Sequence, residues 1–318
     1  MEYLHNDKKQ FVEAIDLAVF QTGLEPEVIE KDYYVTMILK KLAEKFAFVV
    51  FKGGTSLSKC HRAIKRFSED IDITIDTALS QGNKRNLKHG LVEIATELGM
   101  RIPNLENTRS RRDYNRYELE YDSVLPKVSD TVNASVLLET SFAEVSFPTV
   151  LLPVHSYIGD LFEKEAPDAI EQYGLEPFEM KVQSIERTLA DKVFAICDYY
   201  LEERTKKHSR HIYDIYKLLP LVPQNEEFHK LVKEVRAVRA KTNICPSAQP
   251  DVDVPGLLKT IVSDAVYRDD YNNLTIKLLE ESDRVSYEQA ITAVGKISKG
   301  GMFGGTQPTN SSYPSDSL

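Results

Sequence analysis

Apolar residues recur at helical spacing between Pro26 and Ala43, where Val28, Val35, Ile38, Leu39 and Leu42 share one face. The next apolar run, Phe46 to Phe51, is short and rich in aromatic and β-branched residues. It ends at Gly53–Gly54 and reads as a strand followed by a turn. Thr55 to Ala63 returns to a helical pattern, with Thr55 or Ser56 placed to cap it. From Asp70 to Asp76 the alternation is strict: Ile71, Ile73 and Ile75 point to one side, and Asp70, Asp72, Thr74 and Asp76 to the other. Leu87 to Leu98 reads as a further amphipathic helix, and Tyr114–Tyr121 and Ala134–Val145 as strands. Helix, strand, helix, strand, helix, strands is the order of a mixed α/β layer with helices packed on a small sheet.

Beyond about residue 160 the pattern changes. Ser184–Leu201, His211–Leu219, Glu226–Arg239 and Ser286–Lys296 all read as helices, and Pro153, Pro167 and Pro177 interrupt the chain before them. The expected fold class is α/β (α+β): a mixed sheet with flanking helices over residues 1–165, then a mainly helical domain over 166–299. Gly300–Leu318, rich in Gly, Ser, Pro and Asn, reads as a disordered tail.

Composition narrows the function classes. The 318 residues suffice for two domains. No stretch resembles a secretory signal, no apolar run can span a bilayer, and Cys60, Cys197 and Cys245 are too scattered for a disulfide framework or a zinc knuckle. These features point to a cytoplasmic protein. A net charge of −9 argues against nucleic acid held over the whole surface. Local basic clusters stand out all the same: Lys59, Arg62, Lys65 and Arg66; Arg109, Arg111, Arg112 and Arg116; and Arg204 to His211. Each is either a solvated face or the place where an anionic substrate docks. The seven histidines have no metal-ligand spacing, and the tyrosines are too dispersed for a base-stacking platform.

The chemistry concentrates between residues 53 and 72. Asp70 and Asp72, two apart on a strand, project from one face while their aliphatic neighbours anchor the core. Like charges so close call for a cation, and Mg²⁺ binds through one or two carboxylates plus substrate phosphates. Upstream, Gly53 and Gly54 let a phosphate approach the backbone, and the following helix start offers N–H groups to it. The Thr55 and Ser56 hydroxyls and Lys59 extend that set. Arg66 and Ser68 flank the carboxylates: Arg66 either steadies a phosphate or forms a structural salt bridge. Negative charge added at Ser68 would oppose the site. Glu139 is either a third carboxylate at the metal or an edge-strand glutamate facing water.

These residues resemble a known family. Phe51-Lys-Gly-Gly-Thr-Ser-Leu-Ser-Lys59 followed by Arg66-Phe-Ser-Glu-Asp-Ile-Asp-Ile73 is similar to the AbiEii/AbiGii toxin family of the nucleotidyltransferase superfamily. The likeness includes Glu30-Lys31-Asp32-Tyr33-Tyr34, Glu186-Arg-Thr-Leu-Ala-Asp-Lys192 and Arg210-His-Ile-Tyr-Asp-Ile-Tyr216, and fades after about residue 225. Asp191 stands where the family has Glu. The resemblance implies a nucleotidyltransferase-type sheet domain and a Mg²⁺-dependent toxin of a bacterial toxin–antitoxin or abortive-infection system. Such an enzyme moves NMP from an NTP to an acceptor, which in some members is tRNA. It also implies a cognate antitoxin, and it carries catalytic positions onto Gly53, Ser56, Asp70, Asp72, Lys192 and Asp214.

The residues themselves bear on that transfer. Lys192 lies at the centre of the arc made by Ile185, Leu189, Ile196 and Tyr199, so it must snorkel, pair or face a cleft. Asp214 lies away from Ile212, Ile215, Tyr216 and Leu219, and periodicity alone makes it solvated. The expectation is an NTP-using enzyme with an RNA acceptor, its two domains meeting across a cleft, with Gly53–Ser56, Lys59, Arg66 and Ser68 on the nucleotide. The alternatives are a nucleotidyltransferase acting on a protein or small molecule, and an idle nucleotide-binding protein.

Overall fold

A computed structural model describes residues 2–126, 133–242 and 244–304. Helix α1 (Lys8–Thr22) starts under Asp7, whose carboxylate accepts the Gln10 N–H, and stops at Gly23 in the left-handed region. Pro26 opens α2 (Pro26–Lys45), the position where its missing N–H costs nothing. Then come β1 (Val49–Lys52), α3 (Gly53–Lys59), β2 (Ile71–Ile75) and α4 (Gln81–Glu97). They are followed by β3 (Tyr114–Glu120), β4 (Ser135–Val145), β5 (Thr149–Val154), α5 (Tyr157–Glu165), α6 (Pro167–Tyr173), β6 (Phe178–Gln183) and α7 (Ile185–Leu201).

The six strands form one mixed sheet in the order β3-β4-β2-β1-β6-β5. The inner pairs are β1 with β2 antiparallel, β2 with β4 parallel and β1 with β6 parallel; both outer pairs are antiparallel. The expected α/β class is therefore present. Phe51, Ile71, Ile73, Val136 and Leu138 share a core with Ile38, Leu39 and Leu42 of α2 and Leu87, Leu91 and Ile94 of α4. Each such side chain contributes about 1.5–3 kcal/mol on burial. A one-residue slip of β2 would turn Ile71 and Ile73 outward and bury the aspartates, so the core itself fixes where the carboxylates point.

Sequence periodicity did not reveal β5 and β6. Pro153 read as an interruption, yet β5 is an edge strand, where a missing N–H is tolerated. β6 lies past the expected boundary at residue 165 and pairs with β1.

The chain falls into two compact units: residues 1–188 with 278–283, and 189–277 with 284–318. Residues 278–283 join the first through the Phe67 N–H donated to Leu278 O (2.9 Å) and the Glu280 N–H donated to Lys65 O (3.1 Å). The second unit contains α8 (Arg210–Leu218), α9 (Glu226–Arg239), α10 (Val254–Asp264) and α11 (Tyr287–Lys299), the last opened by a Ser286/Gln289 capping box. Of the expected tail, residues 305–318 lie outside the described residues. Phe303 is buried against Phe194 and Phe228. Among the described residues no helix is long and apolar enough to cross a membrane.

Candidate active site

The site begins where β1 ends. Lys52 stands opposite Asp72 in the β1–β2 register, and the chain then turns at Gly53 with φ +79°, a conformation that L side chains rarely adopt. A Cβ on Gly53 would fall on the Asp72 carboxylate. One residue on, a Cβ on Gly54 would come within 2.5 Å of Arg66 Nη2 and 2.8 Å of Ser68 Oγ. The two glycines thus let three polar side chains close directly onto the backbone.

The helix starts at Gly53, two residues earlier than expected, so neither Thr55 nor Ser56 caps it. The capping position is Lys52, and no side chain caps the first turn. Thr55 and Ser56 are buried and brace the loop instead: Thr55 Oγ1 donates to Ser68 Oγ (3.0 Å) and Ser56 Oγ to Gly53 O (2.9 Å).

The carboxylates come from adjacent strands. In the parallel β2–β4 register Asp72 stands beside Glu139, and in the antiparallel β3–β4 register Glu139 stands beside Arg116. Register partners share a sheet face, so Asp72, Glu139 and Arg116 form a row opposite the buried Ile71 and Leu138. β4 is an interior strand, with β3 outside it, which removes the edge-strand reading of Glu139. The Tyr114 hydroxyl donates to Glu139; partial burial and that carboxylate push the phenol up to about 12. Asp70 immediately precedes β2, and Asp76, past its far end, pairs with Lys181.

Lys59 is not gathered into this row. Its ammonium is 2.5 Å from Asp32 Oδ1, 2.8 Å from Thr36 Oγ1 and 3.0 Å from His155 O, and the residue is only 7% exposed. The neighbouring residues of α2 hold other segments. Lys31 pairs with Glu69, just before Asp70, and Glu30 accepts the Ser123 hydroxyl (2.6 Å) and the Val124 N–H (2.8 Å). Sequence reasoning gave Glu30–Asp32 no role. Their partners lie far along the chain, and no local periodicity signals them.

In the second unit Lys192 Nζ is 2.6 Å from Asp214 Oδ2. Asp214 is fully buried, not solvated as periodicity suggested. Its neighbours Ile212, Tyr213 and Ile215 are buried too, and the ion pair is what allows a carboxylate there. Of the options open to Lys192, pairing is the one observed. Asp191 meets Arg239 at 3.3 Å, and Arg239 also holds Asp198 at 2.8 Å.

Among the described residues no group of three or more His, Cys, Asp or Glu is assembled to hold a metal ion alone. Two strand carboxylates completed by phosphate oxygens and water fit the donor preference of Mg²⁺ better than that of a fully caged ion.

The sequence matches the family described as nucleotidyl transferase AbiEii toxin, type IV TA system, over residues 37–293. The chain belongs to the AbiEii nucleotidyltransferase toxin family. No curated protein matches it. Among solved structures it is similar to MenT4, a nucleotidyltransferase toxin of Mycobacterium tuberculosis H37Rv, at 14% identity and a TM-score of 0.44, covering 91% of this chain and 88% of that one. As an AbiEii-family member the protein is a nucleotidyltransferase, and its family implies an NTP substrate and an antitoxin partner. Within this AbiEii-family chain, the glycine turn and the aspartate strand belong to one unit and touch through Gly53 and Asp72.

Proposed function

We propose that the protein transfers a nucleoside monophosphate from an NTP, whose pyrophosphate leaves, to a hydroxyl of an RNA acceptor, tRNA being one candidate, with Asp70 and Asp72 holding Mg²⁺. The observation that carries this reading is the closure of Asp72 onto Gly53 with Glu139 in register beside it. A triphosphate at the first turn of α3 then lies against the carboxylate face. Bound Mg²⁺ would supply neutralisation of the triphosphate charge and polarisation of its phosphorus–oxygen bonds.

The protein's own groups divide the remaining work. Gly53 and Gly54 admit the phosphates to the backbone, while Thr55 and Ser56 keep the turn rigid. Arg66, only 6% exposed and donating to Phe67 O at 3.1 Å, presents charge beside Gly54. Glu139 accepts the proton of the attacking hydroxyl or assists the metal. Lys192 and Asp214 match the family's downstream catalytic positions, with Lys192 assigned to phosphate charge.

An RNA acceptor is supported by the exposed Arg109, Arg111, Arg112 and Arg116, which lie on β3 or the loop before it and lead to Glu139. Incubation with labelled NTPs, Mg²⁺ and total RNA tests the proposal. Wild type is expected to label RNA, and Asp70→Ala/Asp72→Ala to label it at least about 100-fold less. Equal labelling by the two proteins ends the enzymatic reading of this site. Label removed by protease rather than nuclease moves the acceptor to a protein, and label on neither polymer moves it to a small molecule.

A further inference from the structure

The motifs around the glycine pair also enclose a second space. A cavity of about 200 Å³ lies within the first unit, bounded by α2, the last turn of α3, the 62–69 segment, residues 155–160 and Glu280. That is on the order of ten times what one buried water needs. Its walls are of two kinds. Val35 and Ile64 are buried and, with Val28, Phe67 and Tyr157, give an apolar and partly aromatic lining. Arg62 and Lys65 are exposed and mark the mouth. Three further cations in the wall are themselves more than nine-tenths buried: Lys31 at 5% exposure, Arg66 at 6% and Lys59 at 7%.

A packing defect of this size would be lined by apolar groups and dry. This one combines ring-bearing side chains, apolar walls and converging charges, the build of a small-ligand site. Three of the four acids in the wall are matched to cations: Glu69 to Lys31, Asp32 to Lys59, and Asp160 to Arg62 at 3.0 Å; the fourth, Glu280, is held through its backbone N–H by Lys65 O. Flat rings suit a heterocycle, the wall charges suit its hydrogen-bonding edge, and exposed basic groups at a mouth suit a phosphate.

We propose that this cavity binds a nucleoside monophosphate unit, its base between Phe67, Tyr157 and Val28 and its phosphate at Arg62 and Lys65. The unit is either a free mononucleotide or the terminal nucleotide of an RNA strand. The site is distinct from the glycine pair and the aspartates and does not depend on the transfer reading. It communicates with them, because the Lys31–Glu69 pair that walls it also anchors the residue before Asp70. Arg66 and Ser68, which line it, pack on Gly54.

The test is calorimetric titration of the full chain with AMP, CMP, GMP and UMP in EDTA, with inorganic phosphate as control, followed by photo-crosslinking with 8-azido-AMP. At least one monophosphate is expected to bind wild type and Asp70→Asn/Asp72→Asn alike, and more tightly than phosphate. Arg62→Glu/Lys65→Glu is expected to weaken it by about tenfold or more. Val28→Trp, at a half-buried wall position, is expected to abolish it with the thermal midpoint retained. Crosslinks in residues 27–36, 62–69 or 155–160 support the site. Crosslinks confined to residues 53–57, binding lost with the aspartates but kept in Val28→Trp, or no binding at millimolar concentration would overturn it. Displacement of a 3′-hydroxyl oligoribonucleotide by AMP assigns the strand terminus; its absence assigns the free nucleotide. Monophosphate binding without NTP labelling would retire the transfer reading and leave this site standing.

Discussion

At Gly53 a missing side chain carries as much information as the carboxylate above it. Alanine there meets two obstacles: a left-handed backbone, which costs about 1–2 kcal/mol, and the Asp72 carboxylate in the space its methyl would fill. The first is a modest loss of stability and the second displaces a proposed metal ligand. Gly53→Ala is therefore expected to lower the thermal midpoint by only a few degrees, while RNA labelling falls at least about 100-fold. Equal losses in both readouts would mean that the glycine serves folding alone. Ser68 makes a complementary case, since its hydroxyl oxygen accepts from Thr55 and packs on Gly54. Ser68→Glu places a negative charge beside Asp70 and is expected to cut labelling by about tenfold or more; an unchanged rate would sink that idea.

Buried ion pairs are what hold these elements in place. Lys59 ties α3 to α2 through Asp32, with side-chain exposures of 6% and 14%. Removing one partner of such a pair leaves the other charge stranded. Lys59→Met should then cost about 3 kcal/mol, read from chemical denaturation. Lys192 and Asp214 do the same between α7 and α8, at 7% and 0%. Here a double-mutant cycle separates structure from chemistry. Lys192→Met should destabilise by about 3 kcal/mol, and adding Asp214→Asn should recover a large part of it. Labelling should stay lost in both variants; if it returned with stability, the pair would be structural only. Periodicity marked Lys192 as out of place on an apolar arc, but it missed Asp214, whose burial depends on a partner from another helix that the pattern of its own helix does not contain.

At the scale of the whole molecule, acid is the condition most directly coupled to the fold. Burial lowers His5 to about 4, and His61 and His208 are also lowered, burial being the main cause for each. A histidine whose folded value is depressed binds more protons when unfolded. Its contribution is intact above about pH 6.5 and is lost as pH falls from there toward 4. Glu30, raised by burial, works in the opposite sense at the acid end. The thermal midpoint should thus decline between pH 6.5 and 4. His5→Gln, which cannot be protonated, should flatten that decline by about 3 °C relative to its own value at neutral pH. A wild-type slope unchanged by the substitution would show that other groups set the acid limit.

The local pattern by itself determined that Ile71 and Ile73 face a core, that Asp70 and Asp72 therefore face away from it, and that a phosphate-friendly glycine turn precedes them. It also determined that helices dominate after residue 184. Those are consequences of period and turn chemistry, which act over a few residues. Tertiary structure decided what long-range pairing decides. β5 and β6 complete the sheet, Glu139 lands beside Asp72, and Lys59 is drawn to Asp32 rather than to the aspartates. Thr55 and Ser56 turn their hydroxyls inward, and Asp214 is buried against Lys192. In each case the partner lies in another part of the fold or the side chain had several acceptors within reach. Only the packed chain, by excluding water from some of them, selects one.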